Sequence, residues 1–452
     1  MKSKRIQYLE KILRWMAAAV IKKYKPSIVG ITGSVGKTSA KEAVFMVLSQ
    51  KFRTRKSDKN YNNEIGIPLT VIGARSGKRS LWKWLAVFAR WLFIMVFPVK
   101  YPKILVLEMG VDHPGDMKRL TSFIPVSVGI VTNISSSHLE FFKSVGHIAK
   151  EKRKLLEALP EEGTAILNAD DNRVKNMKNA ISSKIITFGL GEADVRASCV
   201  DFNYNGEHSN RLAVPPAYRT DKPASPAGRL SGISFKLGYE GKIIPVRLRH
   251  ILAQHHIYAI LAGISAGIAF KINLVDIAES LDNFFPPPGR MNLVSGIKNS
   301  FIIDDTYNAS PASASAALDI LKKIKAVRKI TVMGDMLELG KDMEGGHRKI
   351  AKKIFQLNPA FVFTVGDRMK IAVEELRPSG YPADRMFHFD DPVSAGKKLQ
   401  EKIREGDLIL IKGSQAMRME KIVEEIMLKP REAKNILCRQ SPDWRKRPYI
   451  KP

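Results

Sequence analysis

The stretch from Val29 to Glu42, VGITGSVGKTSAKE, has the composition of a phosphate-binding turn. Its glycines allow backbone N–H groups to point toward phosphate oxygens, and the helix expected to follow adds a positive dipole. In such a turn Lys37 can reach the terminal phosphates of a nucleotide, and Thr38 can bind Mg²⁺. We therefore predict nucleotide binding here. The alternative is an ordinary glycine turn that leads into a helix.

The spacing of the glycines differs from the commonest phosphate-binding pattern. Gly30 and Gly36 are separated by one residue more than G-x-x-x-x-G-K-[ST] allows, so the motif is T-G-S-x-G-K-T. The predicted nucleotide contacts in this turn are Gly33, Ser34, Gly36, Lys37, Thr38 and Ser39.

The elements that would position this turn follow a regular order. From Ser27 onward, short β-rich apolar runs alternate with longer helical runs, which predicts right-handed crossovers and a parallel sheet. Glu108 and His138 each follow a predicted strand, at the edge where α/β sheets place ligand groups. The predicted fold class is α/β.

Proline-rich segments divide the chain. Residues 194–249 indicate a loop followed by an antiparallel ribbon, and the β/α alternation restarts after the three prolines at 286–288. We predict a basic amphipathic helix at 1–25, a central domain at 26–287 and a second domain at 288–430. A basic tail at 431–452 is expected to be partly disordered.

The charge balance is strongly basic. The 452 residues contain 74 Lys plus Arg and 44 Asp plus Glu, a formal net charge of +30. This charge attracts nucleic acid, anionic lipid or phosphorylated substrates and does not choose among them. No zinc finger, aromatic RNA-binding motif or recognition helix is visible, so specific nucleic-acid binding is not expected. Only Cys199 and Cys438 are present, which fits a reducing cytosol.

Two segments have the character of membrane-surface contacts. The N-terminal helix is basic and amphipathic, and its apolar core is too short for a cleaved signal peptide. The insert at 81–101, LWKWLAVFARWLFIMVFPVKY, is interrupted by Lys83 and Arg90 and ended by Pro98. A spanning helix needs about 20 apolar residues. We therefore interpret the insert as an interfacial or re-entrant membrane contact, with a buried or partner-facing helix as the alternative.

Several motifs occur in a characteristic order between residue 29 and about residue 425. They are GITGSVGKTSAKE, NYNNEIGIPLT, LVLEMGVDHPGDM, VTNISSSHLEFF, LPEEGTAILNADD, PGRMN, IIDDTYNASPAS, VMGDMLELG and LIKGSQAMRMEKIV. On these motifs the chain resembles the Mur ligases of peptidoglycan synthesis. It is most similar to the type that joins D-alanyl-D-alanine to UDP-N-acetylmuramoyl-tripeptide.

The resemblance implies a P-loop ATPase domain followed by a Rossmann-like ligase domain. Members of this family use ATP and Mg²⁺ to convert a substrate carboxylate into an acyl phosphate, which an incoming amine then displaces to form an amide. The expected partners are a muropeptide acceptor and D-alanyl-D-alanine. Because carboxylate and ATP are both anions, cations must converge on the site.

The resemblance also assigns roles to residues near the turn. It implies Mg²⁺ ligands at Thr38, Glu108, His138 and Lys152, with Lys152 carbamylated, and catalytic roles for Lys37, Lys152 and His138. Lys150 and Lys154 are close enough in sequence to be alternatives for the carbamylated position. The alternative interpretation is that all three lysines lie on a solvated, basic face of a helix.

Further sites are implied by the other motifs. Acceptor or phosphate contacts match Asn62, Asn63 and Glu64. Nucleotide contacts from the second domain match Arg290, Asp305, Tyr307 and Asn308. The carboxylate of the incoming dipeptide matches Lys412, Gly413 and Ser414. His347 follows MEGG in the same domain, and its role is open.

The chain departs from the family at two places. In QHHIYAIL, His256 and Ala259 stand where the family has asparagines at the adenine pocket, so His256 is the expected base contact. In addition, only about 28 residues precede the turn, where the family carries a UDP-binding domain. We hypothesise a cytoplasmic, monomeric enzyme at the inner membrane surface that acts on a membrane-presented muropeptide.

Two other functions fit parts of the sequence. One is a related ligase with different substrates, of the folylpolyglutamate or cyanophycin type. The other is a basic, nucleotide-dependent binding module without catalytic turnover, for which the net charge is the main support.

Overall fold

The computed structural model describes residues 4–58, 61–78, 80–135, 142, 144–203 and 232–447. The chain forms two compact units. The N-terminal unit comprises residues 1–200, 235–247 and 254–284, and the C-terminal unit comprises residues 201–234, 248–253 and 285–452.

The first sheet has nine strands. They are β1 (Ser27–Thr32), β2 (Thr54–Lys56), β3 (Ile104–Glu108), β4 (Val128–Val131), β5 (Thr164–Asn168), β6 (Lys184–Gly189), β7 (Val195–Asn203), β8 (Gly232–Tyr239) and β9 (Lys242–Leu248). Their order is β2-β3-β1-β4-β5-β6-β7-β8-β9. The pairs from β2 to β7 are parallel, with β1 between β3 and β4. Residues after β1, β3 and β4 therefore lie at one edge of the sheet.

Nine α-helices are described in this region. They are α1 (Lys4–Tyr24), α2 (Lys37–Ser49), α3 (Gly66–Ile72), α4 (Leu81–Val96), α5 (Asp116–Thr121), α6 (Val145–Glu157), α7 (Asn172–Lys175), α8 (His255–Ala269) and α9 (Leu274–Leu281). Helices α2 and α8 approach closely at Gly263, where a Cβ atom would lie 2.9 Å from the backbone carbon of Ala43. The glycine thus sets the distance between the helix that follows the turn and its neighbour.

The C-terminal unit contains a six-stranded sheet. Its strands are β10 (Asn292–Ser295), β11 (Phe301–Asp305), β12 (Arg328–Gly334), β13 (Phe361–Val365), β14 (Met386–Phe389) and β15 (Asp407–Lys412), in the order β10-β11-β15-β12-β13-β14. Only β10 is antiparallel to its neighbour among these described strands. The helices are α10 (Pro311–Lys323), α11 (Met343–Leu357), α12 (Lys370–Leu376), α13 (Pro392–Lys402), α14 (Glu420–Ile426), α15 (Ala433–Ile436) and α16 (Pro442–Arg445). The predicted α/β class, with a Rossmann-like second unit, is confirmed.

The insert at 81–101 contains α4, which packs beside α1. Val87 and Ile94 of α4 are buried, and they belong to the same core cluster as Leu13 and Met16 of α1. Within the part of the chain that the structure describes, no helix is long and apolar enough to cross a membrane.

The segment after residue 430, expected as a partly disordered tail, is packed in its described part. Glu420 of α14 accepts hydrogen bonds from Arg418 Nε at 2.6 Å and from Arg439 Nη1 at 3.0 Å, and all three side chains are buried. Arg439 also donates to the carbonyls of Thr306 and Tyr307. Arg439 therefore ties this segment to the loop after β11, and Arg418 Nη1 donates to the carbonyls of Trp444 and Arg447; local sequence periodicity does not reveal these contacts.

Replacing Glu420 by glutamine is expected to lower the free energy of unfolding by about 3–5 kcal/mol, because it leaves two buried guanidinium groups without a carboxylate. The matched control is Glu424→Gln, which removes an exposed pair with Arg445 at 3.2 Å and should cost less than about 1 kcal/mol. Chemical denaturation followed by circular dichroism and tryptophan fluorescence measures both. Equal losses in the two variants would show that the buried cluster does not stabilise the unit.

Candidate active site

The turn after β1 has a backbone that requires glycine. Gly33 has φ of 149° and Gly36 has φ of 85°, and both values are unfavourable for residues with a Cβ. At Gly33 a Cβ would also lie 2.0 Å from Thr132 Oγ1. Gly36 then leads directly into α2, whose first residues are Lys37, Thr38 and Ser39.

The loop after β4 holds this turn in place. Ser34 N donates to the Asn133 carbonyl at 2.8 Å, and Val35 N donates to Asn133 Oδ1 at 2.8 Å. Ser34 Oγ donates to the Ser135 carbonyl at 3.0 Å. The turn is thus preorganised by a neighbouring strand end, as an anion-binding loop should be.

The side chain of Lys37 folds back toward the turn that precedes it. Its Nζ donates to the Gly33 carbonyl at 2.7 Å and to the Ser34 carbonyl at 3.3 Å. The ammonium group is therefore held over the backbone that the sequence predicts to surround phosphate.

Glu108, at the end of β3, carries a buried oxygen suited to a cation. Its backbone lies in register with Ile31 of β1, and its N–H donates to Ser57 Oγ at 3.1 Å. Oε2 is buried and accepts no hydrogen bond from the described residues, and Lys41 Nζ lies 3.8 Å from it. A buried carboxylate oxygen without a hydrogen-bond donor, on the strand that neighbours β1, fits a Mg²⁺ site.

Lys41 is a site residue that sequence reasoning missed. It lies on the buried face of α2, and its Nζ donates to the Ser57 carbonyl at 2.9 Å as well as facing Glu108. The available signal was a lysine between Ala40 and Ala43 on the apolar side of a predicted helix. A buried charge at such a position needs a partner.

Lys152, on α6, is buried, and burial lowers the pKa of its ammonium group to about 7. The nearby charge of Lys37 lowers this pKa further, whereas Asp112 and Glu151 act in the opposite direction. The structure thus brings Lys152 into electrostatic reach of the turn lysine.

The two neighbouring lysines differ from Lys152. Lys150 is exposed, and Lys154 Nζ donates to Glu151 Oε2 at 2.6 Å. Glu151 Oε1 in turn accepts from Met117 N at 2.9 Å, which joins α6 to α5. Of the three, Lys152 alone combines burial with proximity to Lys37.

His138 lies outside the described residues, so its predicted position cannot be compared with the other ligands. Among the residues that are described, no group of three or more His, Cys, Asp and Glu side chains could hold a metal ion. The predicted ligand set is of a different kind, because it draws on the hydroxyl of Thr38 and on a modified Lys152 as well as Glu108.

The loop with Asn62, Asn63 and Glu64 lies against the end of β3. The Asn62 carbonyl accepts from Gly110 N at 2.9 Å, and Asn63 Oδ1 accepts from Gly66 N at 3.0 Å. Glu64 Oε1 lies 3.4 Å from Arg119 Nε. These residues therefore lie next to the end of β3, although the Asn63 side chain is engaged with the backbone at the start of α3.

His256 is buried in the first turn of α8. Two residues on, Tyr258 donates a hydrogen bond to Asp170, and burial together with this carboxylate raises the pKa of the tyrosine to about 12. An adenine contact by His256 stays a prediction.

In the C-terminal unit, residues predicted for different ligands form one cluster. Lys412 Nζ donates to Asp305 Oδ2 at 2.6 Å and to the Asn308 carbonyl at 2.9 Å. The Arg290 guanidinium lies 4.2 Å from the centre of the Tyr307 ring. Lys412 was predicted for the dipeptide carboxylate and Asp305 for the nucleotide, yet the two are an ion pair.

Ser414 and His347 both hold the loop after β12. Ser414 Oγ accepts from Leu337 N at 2.8 Å, and His347 Nε2 accepts from Met336 N at 3.2 Å. His347 Nδ1 lies 2.7 Å from the Met343 carbonyl, and burial lowers the histidine pKa, so its neutral form is favoured. At Gly413 a Cβ would lie 2.6 Å from Met419. Ser414 and His347 therefore stabilise the backbone of the loop after β12.

These features define an α/β protein with a phosphate-binding turn, a buried carboxylate and a lysine of low pKa at one sheet edge. Comparison with known families matches residues 91–266 to the Mur ligase middle domain and residues 289–415 to the Mur ligase, glutamate ligase domain. With both domains present in order, the chain belongs to the Mur ligases, a family of ATP-dependent amide-bond ligases.

Individual relatives agree with this assignment. The UDP-N-acetylmuramoyl-tripeptide–D-alanyl-D-alanine ligase of Bacillus subtilis is 28% identical over 420 residues, covering 92% of this chain and 79% of its own. The Escherichia coli enzyme of the same name is 28% identical over 414 residues, covering 91% and 79%.

Solved structures share the fold. MurF from Acinetobacter baumannii has a TM-score of 0.75 at 23% identity, covering 93% of this chain and 81% of its own. MurF from Thermotoga maritima in complex with ADP has a TM-score of 0.68 at 22% identity, covering 94% and 84%.

Proposed function

We propose that this Mur ligase joins D-alanyl-D-alanine to the terminal carboxylate of a UDP-N-acetylmuramoyl-tripeptide or a related muropeptide, with ATP as the energy source. The substrates follow the names of the relatives. The chemistry is supported by the arrangement of Lys37, Glu108 and Lys152 around the phosphate-binding turn.

The proposed reaction has two steps. An acceptor carboxylate oxygen attacks the γ-phosphorus of ATP, the bond to ADP breaks, and an acyl phosphate forms. The amine of D-alanyl-D-alanine then attacks the acyl carbon, the bond to phosphate breaks, and the amide forms with loss of one amine proton. Lys37 would place positive charge beside the transferring phosphoryl group in the first step.

Lys152 is proposed to carry the carbamate. The ammonium group first loses a proton, the neutral amine attacks CO₂ to form the new N–C bond, and a second proton is released, so a cation becomes an anion. Because the pKa of Lys152 is about 7, a large fraction of its amine is neutral near that pH, whereas an ordinary lysine is almost fully protonated. Lys150 is exposed, and Lys154 is partly exposed and paired with Glu151.

Mg²⁺ would be held by Thr38, Glu108, His138 and the Lys152 carbamate. When bound, it would neutralise phosphate charge. Glu108 supports this assignment because its Oε2 is buried without a hydrogen-bond donor, and Lys41, 3.8 Å away, would hold that carboxylate in place.

The remaining contacts are assigned by family likeness. The acceptor is assigned to Asn62, Asn63 and Glu64. The nucleotide is assigned to the turn and to His256, Arg290, Asp305, Tyr307 and Asn308, and the dipeptide to Lys412, Gly413 and Ser414. We further place the enzyme as a monomer in the cytoplasm, peripheral to the inner face of the membrane.

The test is phosphate release from ATP and Mg²⁺ with a UDP-muramoyl-tripeptide acceptor, with and without D-alanyl-D-alanine. We expect phosphate release that depends on the dipeptide, and a pentapeptide product detected by mass spectrometry. L-alanyl-L-alanine serves as the control amine and should not support release.

The alternatives give different results in the same assay. Turnover with a folate or another carboxylate acceptor, and none with a muropeptide, would replace the proposed substrates while keeping the ligase chemistry. ATP binding without turnover for any acceptor, soluble or presented on vesicles, would support the binding-module interpretation.

A further inference from the structure

Helices α1 and α4 form a single fixed surface, which we call the helix pair (Lys4–Tyr24 and Leu81–Val96). Trp91 Nε1 donates to the Met16 carbonyl at 3.0 Å, and the Trp91 and Trp15 rings lie 5.0 Å apart. At the C-terminal end of α4, Lys23 Nζ donates to the carbonyls of Ile94 and Met95 at 3.0 and 2.8 Å. The C-terminal ends of both helices therefore lie together.

One side of α4 carries large apolar residues that face solvent. Trp82 is 81% exposed, although the opposite side of the same helix buries Val87 and Ile94. The exposed residues recur about every turn, and we call them the outer strip: Leu81, Trp82, Leu85, Leu92, Phe93, Val96 and Phe97. A helix at a water-facing surface normally places polar residues on such a side, so this strip indicates a binding surface.

The surroundings of the outer strip are basic. Between Glu64 and Glu108 the sequence contains no acidic residue, and its cations are Arg75, Lys78, Arg79, Lys83, Arg90, Lys100 and Lys103. Helix α1 adds Lys4, Arg5, Lys11, Arg14, Lys22 and Lys23 against the lone acid Glu10. The helix pair and the segments that flank it in sequence therefore carry an excess of positive charge, which attracts anions.

A cavity near the end of the helix pair has the same charge. It has a volume of about 330 Å³, and its lining includes Tyr24, Lys25, Arg53, Tyr101 and Lys103, with no acidic side chain. The cations Lys25, Arg53 and Lys103 around this small cavity suit the phosphate of a lipid headgroup.

We propose that the helix pair binds an anionic lipid bilayer, with the outer strip inserted in the plane of the headgroup region. Helix α4 has 16 residues and is about 24 Å long, shorter than the ~30 Å hydrocarbon core. Tryptophan beside Lys83 and Arg90 is the composition of the membrane interface.

The charge pattern favours lipid over a protein partner. A second copy of this chain would bring the same basic surface, and like charges would repel across the contact. An anionic bilayer instead supplies apolar volume and negative charge together. The inference is independent of the ligase reaction, because binding can be measured without substrates.

The experiment is flotation of the full chain with phosphatidylcholine vesicles that contain or lack 30% phosphatidylglycerol (roughly physiological anionic content), at low and high salt. We expect binding to the anionic vesicles that weakens with salt. The triple variant Trp82→Ser, Leu85→Gln, Phe93→Gln should bind at least about a hundredfold more weakly, since each large side chain contributes about tenfold.

The matched control replaces exposed apolar residues elsewhere, Ile243→Gln, Val275→Gln and Val327→Gln, and should bind like the wild type. A second set, Lys4→Gln, Arg5→Gln and Lys11→Gln, should reduce binding to anionic vesicles without altering the circular dichroism spectrum. Quenching of tryptophan fluorescence by brominated lipid should decrease in Trp82→Phe.

Three results would overturn the proposal. They are absence of flotation at low salt, equal flotation of the outer-strip and control triples, or a stable dimer in light scattering that the outer-strip triple dissociates. The last result would assign the surface to a second copy of this chain.

Discussion

Replacing Lys152 by arginine is expected to reduce dipeptide-dependent phosphate release on the order of a thousandfold. Arginine keeps a positive charge and cannot react with CO₂ at neutral pH, so the proposed anion next to Lys37 is lost. Lys152→Met, which is similar in length and neutral, should lose a comparable factor. Steady-state phosphate release measures both, and circular dichroism confirms that both variants are folded.

The neighbouring lysines provide controls on the same helix. Lys150→Arg alters an exposed residue, and Lys154→Arg keeps a cation opposite Glu151, so both should retain turnover within about twofold. With ¹³C-labelled bicarbonate, a carbamate carbon signal should be present in these controls and absent in Lys152→Arg. In wild type, removal of CO₂ should lower activity and added bicarbonate should restore it.

Either of two outcomes would contradict this assignment. Full activity in Lys152→Arg would show that no carbamate is needed there. A labelled signal that disappears in Lys150→Arg or Lys154→Arg would move the modification to that residue, despite its exposure or its pairing with Glu151.

The sequence alone was sufficient for the alternation of strands and helices and for the glycine turn. Both depend on local information: apolar periodicity predicts β1 and α2, and the positive φ values at Gly33 and Gly36 follow from a motif that only glycine tolerates. The edge location of Glu108 also follows, because a parallel sheet brings strand ends together.

Pairings between distant residues could not be predicted. Lys412 and Asp305 are 107 residues apart, and their ion pair depends on β11 and β15 being neighbours in the sheet. Lys41 with Glu108 is a similar case, since it requires α2 to cover the end of β3. Hydrophobic periodicity gives the type of an element, whereas strand order decides which polar side chains meet.

The insert at 81–101 shows a second kind of feature that the sequence alone could not predict. Its sequence was compatible with a membrane contact and with a buried or partner-facing helix, because α4 is apolar on nearly all sides. The structure divides it into a side that packs beside α1 and an exposed outer strip. That division is set by the tertiary packing of α4, and the sequence does not show it because large apolar residues lie on both the buried and the exposed side of the helix.

Replacing Lys37 by alanine is expected to reduce phosphate release on the order of a thousandfold, because it removes the cation that we propose lies beside the transferring phosphoryl group. The matched control is Lys51→Ala, just beyond the other end of α2, which pairs with Asp276 at 2.9 Å and is about half exposed. It lowers the net charge by the same amount and should keep turnover within about twofold.

The pair of variants also separates an enzyme from a basic binding module. A net charge of +30 predicts salt-sensitive, non-specific binding to nucleic acid, and one lost charge should weaken it equally in Lys37→Ala and Lys51→Ala. Titration of a fluorescent oligonucleotide, with and without ATP, measures this. If ATP alters wild-type affinity, Lys37→Ala alone abolishes that effect, and no acceptor yields turnover, then the turn regulates binding and the ligase assignment fails. If both variants bind the oligonucleotide equally weakly and only Lys37→Ala loses turnover, the turn serves catalysis. The nucleic-acid binding is then a general effect of the surface charge.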